Sequence, residues 1–182
     1  MQIADLLVKK SLEAGASNAQ IVPVSEIVLD AGFRDVCKSN SCGLYGKCWM
    51  CPPDIGEIET MMAELKTYRQ AVVYQTVSTL EDSFDVEGML AAGNRHNQLA
   101  RTLRSMAPEA LHLGAGGCQI CRPCAKVKGE PCRFPELAMT SLEAYGIHVS
   151  KLAQLAGMKY LNGENTVTYF GAVLFSLDGE EV

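Results

Sequence analysis
The sequence gathers its eight cysteines into two sets, Cys37, Cys42, Cys48 and Cys51, then Cys118, Cys121, Cys124 and Cys132, with none elsewhere in 182 residues. Thiolates clustered in this way can close disulfides, cycle as a redox pair or ligate metal. Disulfides belong to oxidising compartments. Met1 to Lys10 lacks the basic start and unbroken apolar stretch of a signal peptide. No apolar run approaches the ~18 residues of a membrane span, and Asp178 to Val182 fits no lipidation box. The expectation is a soluble, cytoplasmic chain whose cysteines bind metal.

In the first set, Gly43 and Gly46 give the backbone the freedom to turn sharply so that four thiolates converge. Cys48 and Cys51, separated by two residues, can grip one metal or one cluster edge. The Cys51-Pro52 step also occurs in bacterial ferredoxin runs. A zinc knuckle would hold the same four thiolates in a tetrahedron. A redox pair would use only Cys48 and Cys51 and leave Cys37 and Cys42 unexplained. Tyr45 and Trp49 either shield a cluster from water or serve as ordinary core residues.

The second set carries the stronger signal. Cys118, Cys121 and Cys124 reproduce the C-x2-C-x2-C core of a ferredoxin run. Such spacing suits a cubane, whose iron corners take successive thiolates, whereas structural zinc sites more often split their ligands into two knuckles. Cys132 follows seven residues later, further than in a ferredoxin. Local closure assigns Cys118, Cys121, Cys124 and Cys132 to one site and Cys37, Cys42, Cys48 and Cys51 to the other, with a swap of Cys51 and Cys132 left open. The cofactors expected are two [4Fe–4S] clusters, or two Zn2+ on the alternative reading. Arg34, Lys38 and Lys47 flank the first set, and Arg122, Lys126, Lys128 and Arg133 the second, as cations beside anionic clusters.

Other chemistry is thinly represented. Gly114, Gly116 and Gly117 do not make a dinucleotide fingerprint, because Gln119 stands at the third glycine position. There is no radical-SAM cysteine spacing, no phosphate-binding loop and no serine elbow. His96 falls on an apolar helical stripe, where a hydrogen-bonded core histidine is the default. A net charge of −5 offers nucleic acid no basic field.

The elements that must hold the cysteines follow from hydrophobic periodicity. Ala4, Leu7, Val8, Ser11 and Leu12 share one helical face that Gly15 ends. Ala19 to Val24 reads as a strand, with Pro23 at a sheet edge. The segment from Glu26 to Val36 gives mixed signals. Pro52-Pro53-Asp54 opens a helix, with Asp54 as cap, Glu57 completing a capping box, and Ile55, Ile58, Met62 and Leu65 on one face. Gln70 to Val77 is a buried strand. Glu81 to Glu87 is a solvated loop before a helix striped by Met89, Ala92, His96, Leu99, Leu103 and Met106. Ala110 to Gly114 returns as a strand. Leu137 to Tyr145 and Ser150 to Ala156 read as helices. Met158 to Leu161 and Thr166 to Phe175 read as a closing hairpin across Asn162-Gly163. The fold class is α/β: a single-domain αβ sandwich over residues 1–182, with a mixed sheet and the cysteine loops 37–51 and 118–132 inserted.

One combination is specific. Cys42 to Pro53, with its Tyr45-Gly46 and Trp49; Gly117 to Cys124; Pro131 to Glu136; and Ser141 to Ile147, with its Glu143 and Tyr145-Gly146, together resemble the family of predicted metal-binding proteins called DUF2284. The resemblance covers roughly residues 30 to 175. It implies a cysteine-rich protein of anaerobes with iron–sulfur clusters, and it names no reaction. The function expected is electron transfer or a redox accessory role with a partner protein. A redox enzyme with an open cluster site and a structural zinc-binding interaction module are the alternatives.

Overall fold
The computed structural model describes residues 3–176. It is a mixed α/β fold built on one five-stranded sheet, in the order β1-β2-β5-β3-β4. The strands are β1 (Asn18–Pro23), β2 (Gln70–Thr79), β3 (Leu111–Gly114), β4 (Thr140–Ser141) and β5 (Thr166–Phe175). All pairings are antiparallel except β3 with β4. The helices are α1 (Ile3–Glu13), α2 (Phe33–Lys38), α3 (Ile58–Leu65), α4 (Val86–Met106) and α5 (Val149–Leu155).

The long strands β2 and β5 are apolar on both faces because both faces are covered. Successive side chains of a strand point to opposite sides. Accordingly Ala71, Val73, Ala172 and Leu174 join one core with Met61, Leu65, Leu152 and Ala153 of α3 and α5. Val72, Tyr74, Val173 and Phe175 join the other with Leu7 of α1 and Leu99 and Leu103 of α4. Gly171 lies opposite Tyr74, and a Cβ there would come within 2.3 Å of the phenol ring. Pro23 ends β1 on the sheet edge, where its missing N–H costs no ladder bond. Among the described residues no helix is long and apolar enough to cross a membrane.

Three local expectations give way to tertiary context. The helix after the first cysteine set starts at Ile58 rather than at Asp54, and Glu57 caps it without a side-chain bond. Residues 53–56 turn instead, Asp54 N–H bonding to the Cys51 carbonyl, while the Asp54 carboxylate is taken by Lys126. Met61, not Met62, is the methionine this helix buries. Leu137 to Tyr145 is not a helix. Thr140 and Ser141 pair with the free edge of β3, and a 3-10 turn follows at Glu143–Tyr145. Met158 to Leu161 forms no strand, because both edges of β5 are filled by β2 and β3.

Candidate metal centre
The first cysteine set runs from the last turn of α2 to the start of α3. Cys37 sits on α2 one turn after Arg34, so the two share a face. The chain then reverses on Gly43 and Gly46, whose φ angles of 75° and 68° lie in the left-handed region. Asn40 accepts the Tyr45 N–H through its side chain at 3.0 Å, and Gly46 N–H reaches the Pro52 carbonyl at 2.9 Å. A turn closed by Cys51 N–H on the Cys48 carbonyl puts both thiols inward; Cys48 is 1% exposed and Cys51 9%.

The second set fills the crossover from β3 to its parallel neighbour β4. Cys124 caps a 3-10 turn over Ala125–Lys128. Each set contains one cis peptide, Pro52-Pro53 and Arg122-Pro123.

The sequence treats the two sets as separate sites, and the fold brings them into contact. Trp49 donates its indole N–H to the Glu130 carbonyl at 2.9 Å. The Lys126 ammonium lies over the Trp49 ring, 4.3 Å from its centroid, while pairing with Asp54. Thr140 of β4 donates to the Met50 carbonyl at 2.8 Å. Gly117 packs so closely that an added Cβ would stand 2.4 Å from Leu44 Cδ1 and 3.1 Å from the Cys51 sulfur. Cys48 then lines one cavity together with Cys118, Cys121, Cys124 and Cys132, with Trp49 and Phe134 also in its lining.

The electrostatics follow from this crowding. The Cys51 thiol, bonded to Cys48, pulls the Cys48 thiol down to about 6 against the effect of burial, helped by the Met50 and Cys118 N–H groups and the Cys124 thiol. Cys51 is pushed up by that same bond, by burial, and by the Cys48, Cys42 and Cys37 sulfurs. Burial raises Cys118, although the Ile120 and Met139 N–H groups bond to its sulfur. Burial also raises Cys37, with the Arg34 charge working in opposition.

These donors fit an anionic, thiolate-bound metal group. N–H groups directed at sulfur and nearby cations offset negative charge on such a group. Arg34 spends Nη1 on the Gly56 carbonyl at 2.6 Å and Nη2 on the Met61 sulfur at 3.3 Å, leaving its buried Nε without a partner. Among the described residues, no three His, Cys, Asp or Glu side chains gather on one point as a single-ion site would have them.

The family described as predicted metal-binding protein (DUF2284) matches residues 20–175. The chain belongs to that family. The match covers both cysteine sets and every strand but the first residues of β1. No curated protein and no solved structure matches the chain. Membership in this family agrees with metal binding as the cysteines imply it.

Asp54, Thr140 and Glu130 are the residues of the site that sequence reasoning did not place there. Asp54 carried a helix-cap signature, Glu130 acts through its backbone carbonyl, and Thr140 uses its hydroxyl from a segment that read as a helix, which no spacing announces. Of the flanking cations, Lys126 is part of the clamp, Arg133 pairs with Glu130 at 2.8 Å, and Lys38 pairs with Asp35 at 3.0 Å.

Proposed function
We propose that the eight cysteines hold two [4Fe–4S] clusters and that the chain transfers electrons, or serves an accessory redox step, for a partner protein in the cytoplasm. The observation that carries this reading is the contact between the two cysteine loops, where Trp49 bonds to Glu130 and Cys48 lines one cavity with Cys118, Cys121, Cys124 and Cys132. A bound cubane supplies one-electron storage at a potential set by its surroundings. The chain supplies those surroundings. The Met50 and Cys118 N–H groups favour the Cys48 thiolate and the Ile120 and Met139 N–H groups the Cys118 thiolate, and donors of this kind beside a bound cluster would raise its potential. Trp49, Phe134 and Ala138 line the cavity beside the second set. Cys42 is exposed and gives the first set an outlet to a partner at the surface.

The test is iron, acid-labile sulfide and zinc per chain on protein purified without oxygen, with an absorption spectrum. About eight iron and eight sulfide per chain, with a broad visible band that dithionite bleaches reversibly, is the expected result. About two zinc per chain and no sulfide would replace this reading with a structural zinc protein.

A further inference from the structure
We propose that the cleft between α4 and the turn leading from β3 into the second cysteine loop binds a small 2-hydroxy carboxylate with an apolar tail. The inference goes beyond the redox reading and does not depend on which metal the cysteines hold.

Helix α4 carries two stripes. Leu99 and Leu103 belong to the first and pack on the sheet. Val86, Leu90, Gly93, Asn97 and Arg101 recur at helical spacing along a second face, and that face lines the cleft. The opposite wall is the exit of β3, from Gly114 to Gln119. The cleft consists of a chamber of about 290 Å³ and a narrow recess of about 20 Å³, and Asn97, Ala115 and Gln119 line both. Its helical wall therefore grades from apolar Val86 and Leu90 in the chamber to the Arg101 guanidinium at the recess.

Two glycines leave this space open. Gly93 lies inside a helix, where glycine is weaker than alanine, yet a Cβ there would meet only Tyr169 Oη at 3.5 Å, an ordinary contact. Gly114 is buried, yet a Cβ there would meet nothing within 4 Å. Neither has a positive φ. Gly88 of the same helix differs, because its Cβ would strike the Asp85 carboxylate. Backbone and packing thus account for Gly88, while Gly93 and Gly114 are accounted for by the cleft they border from its two walls.

The lining selects the occupant. The chain holds 21 acidic residues, and none of them lines either part of the cleft. Arg101 and Arg122 do line it, and neither forms an ion pair among the described residues. A guanidinium fork matches a carboxylate, and the recess, with room for one or two water-sized groups, admits carboxylate oxygens but no ring. Among the described residues no backbone carbonyl takes the Gly116 or Gly117 N–H, so both remain available as donors in the recess wall. Gln119 donates through Nε2 to the Gly117 carbonyl at 3.0 Å, which fixes its amide, and its buried Oε1 has no partner. Since Gln119 lines recess and chamber alike, that acceptor calls for a donor beside the carboxylate. With no acid in the lining to balance an ammonium, a hydroxyl is the better match. Cys118 and Ile120 line both the recess and the cavity of the second cysteine set, so the head of the bound acid lies against that set.

The test is calorimetric titration of metal-loaded wild-type protein, prepared without oxygen, with 2-hydroxyhexanoate, hexanoate, hexanamide and inorganic phosphate. 2-Hydroxyhexanoate is expected to bind about fivefold more tightly than hexanoate, and hexanamide and phosphate not to bind. No binding of 2-hydroxyhexanoate at millimolar concentration overturns the inference. Phosphate or hexanamide binding as well as 2-hydroxyhexanoate overturns the carboxylate class, and hexanoate binding equally well removes the hydroxyl. Arg101→Gln, at an exposed position, should weaken binding about tenfold or more, and Arg122→Gln should weaken it less; the reverse order overturns the placement of the carboxylate. Gly114→Ala, whose methyl enters open space, should keep the wild-type circular dichroism spectrum and lose affinity, and unchanged affinity overturns the assignment of this cleft. A metal analysis that returns zinc ends the redox reading and leaves this one standing, whereas iron-loaded protein that binds no 2-hydroxyhexanoate ends this one alone.

Discussion
His96 shows how a single side chain is settled by what surrounds it. It is 1% exposed, lies between Tyr74 and Tyr169, and shares a hydrogen bond with Thr76 through Nδ1 at 2.9 Å. Burial pulls its pKa from 6.5 down to about 4, with the Phe170 carbonyl opposing weakly. Below pH 6.5 the unfolded chain takes up a proton that the folded chain refuses until about pH 4. Stability contributed here is therefore lost as pH falls through that window, on the order of 3 kcal/mol in all. The ring carbon and proton shifts of His96 should stay constant from pH 8 to 5 in a nuclear magnetic resonance titration; a midpoint near 6.5 would refute the buried, neutral state. Gly171 makes the complementary case by absence. Its Cβ would overlap the fully buried Tyr74 ring, and overpacking of this kind costs about 1–3 kcal/mol. Gly171→Ala should lower the melting temperature by roughly 4–10 °C, measured by calorimetry, whereas Gly93→Ala, with its nearest contact at 3.5 Å, should cost far less.

At the scale of elements, the two cysteine loops are tied to each other and to the edge strand β4. Their ties are few and directional: the Trp49 indole to Glu130, Lys126 between Asp54 and the Trp49 ring, Thr140 to Met50. The Lys126 and Asp54 side chains are 18% and 17% exposed, so water screens them less than a surface pair. Trp49→Phe removes one hydrogen bond, worth about 1 kcal/mol net, and Lys126→Met removes the ion pair and the cation–π contact, together about 1–2 kcal/mol. Each should speed metal release to a chelator. The double variant should fall short of the summed effects, because Trp49 and Lys126 share a contact. Release rates that multiply independently would show that the loops are not clamped through this pair. The sequence displayed the ingredients of both loops, including their glycines, yet nothing in the spacing of Asp54 or Glu130 marked them as partners of the opposite loop.

For the whole molecule, the two cores and the strands β1, β2, β3 and β5 stand apart from the candidate metal centre. Neither core contains a cysteine, and the strand pairings that join β1, β2, β5 and β3 involve no residue of the loops. Metal stripped from the protein should therefore leave far-ultraviolet circular dichroism nearly unchanged. Residues 37–56 and 115–139 should lose amide-exchange protection, while β2 and β5 keep theirs. Collapse of the whole spectrum on chelation would show that metal binding and folding are one event, as in zinc fingers.

The sequence by itself determined the family, the α/β class and the elements with strong periodicity: α1, β1, β2, α4, β3 and α5 all lie where their patterns put them. It determined these because hydrophobic period and cysteine spacing are local properties. Only the tertiary structure decided that Asp54 leaves its helix for Lys126, that Thr140 becomes an edge strand, and that Trp49 reaches Glu130 of the opposite loop. Each of these is a choice between a local partner and a distant one. A local pattern records the first option, and only the packed chain brings the second within bonding distance.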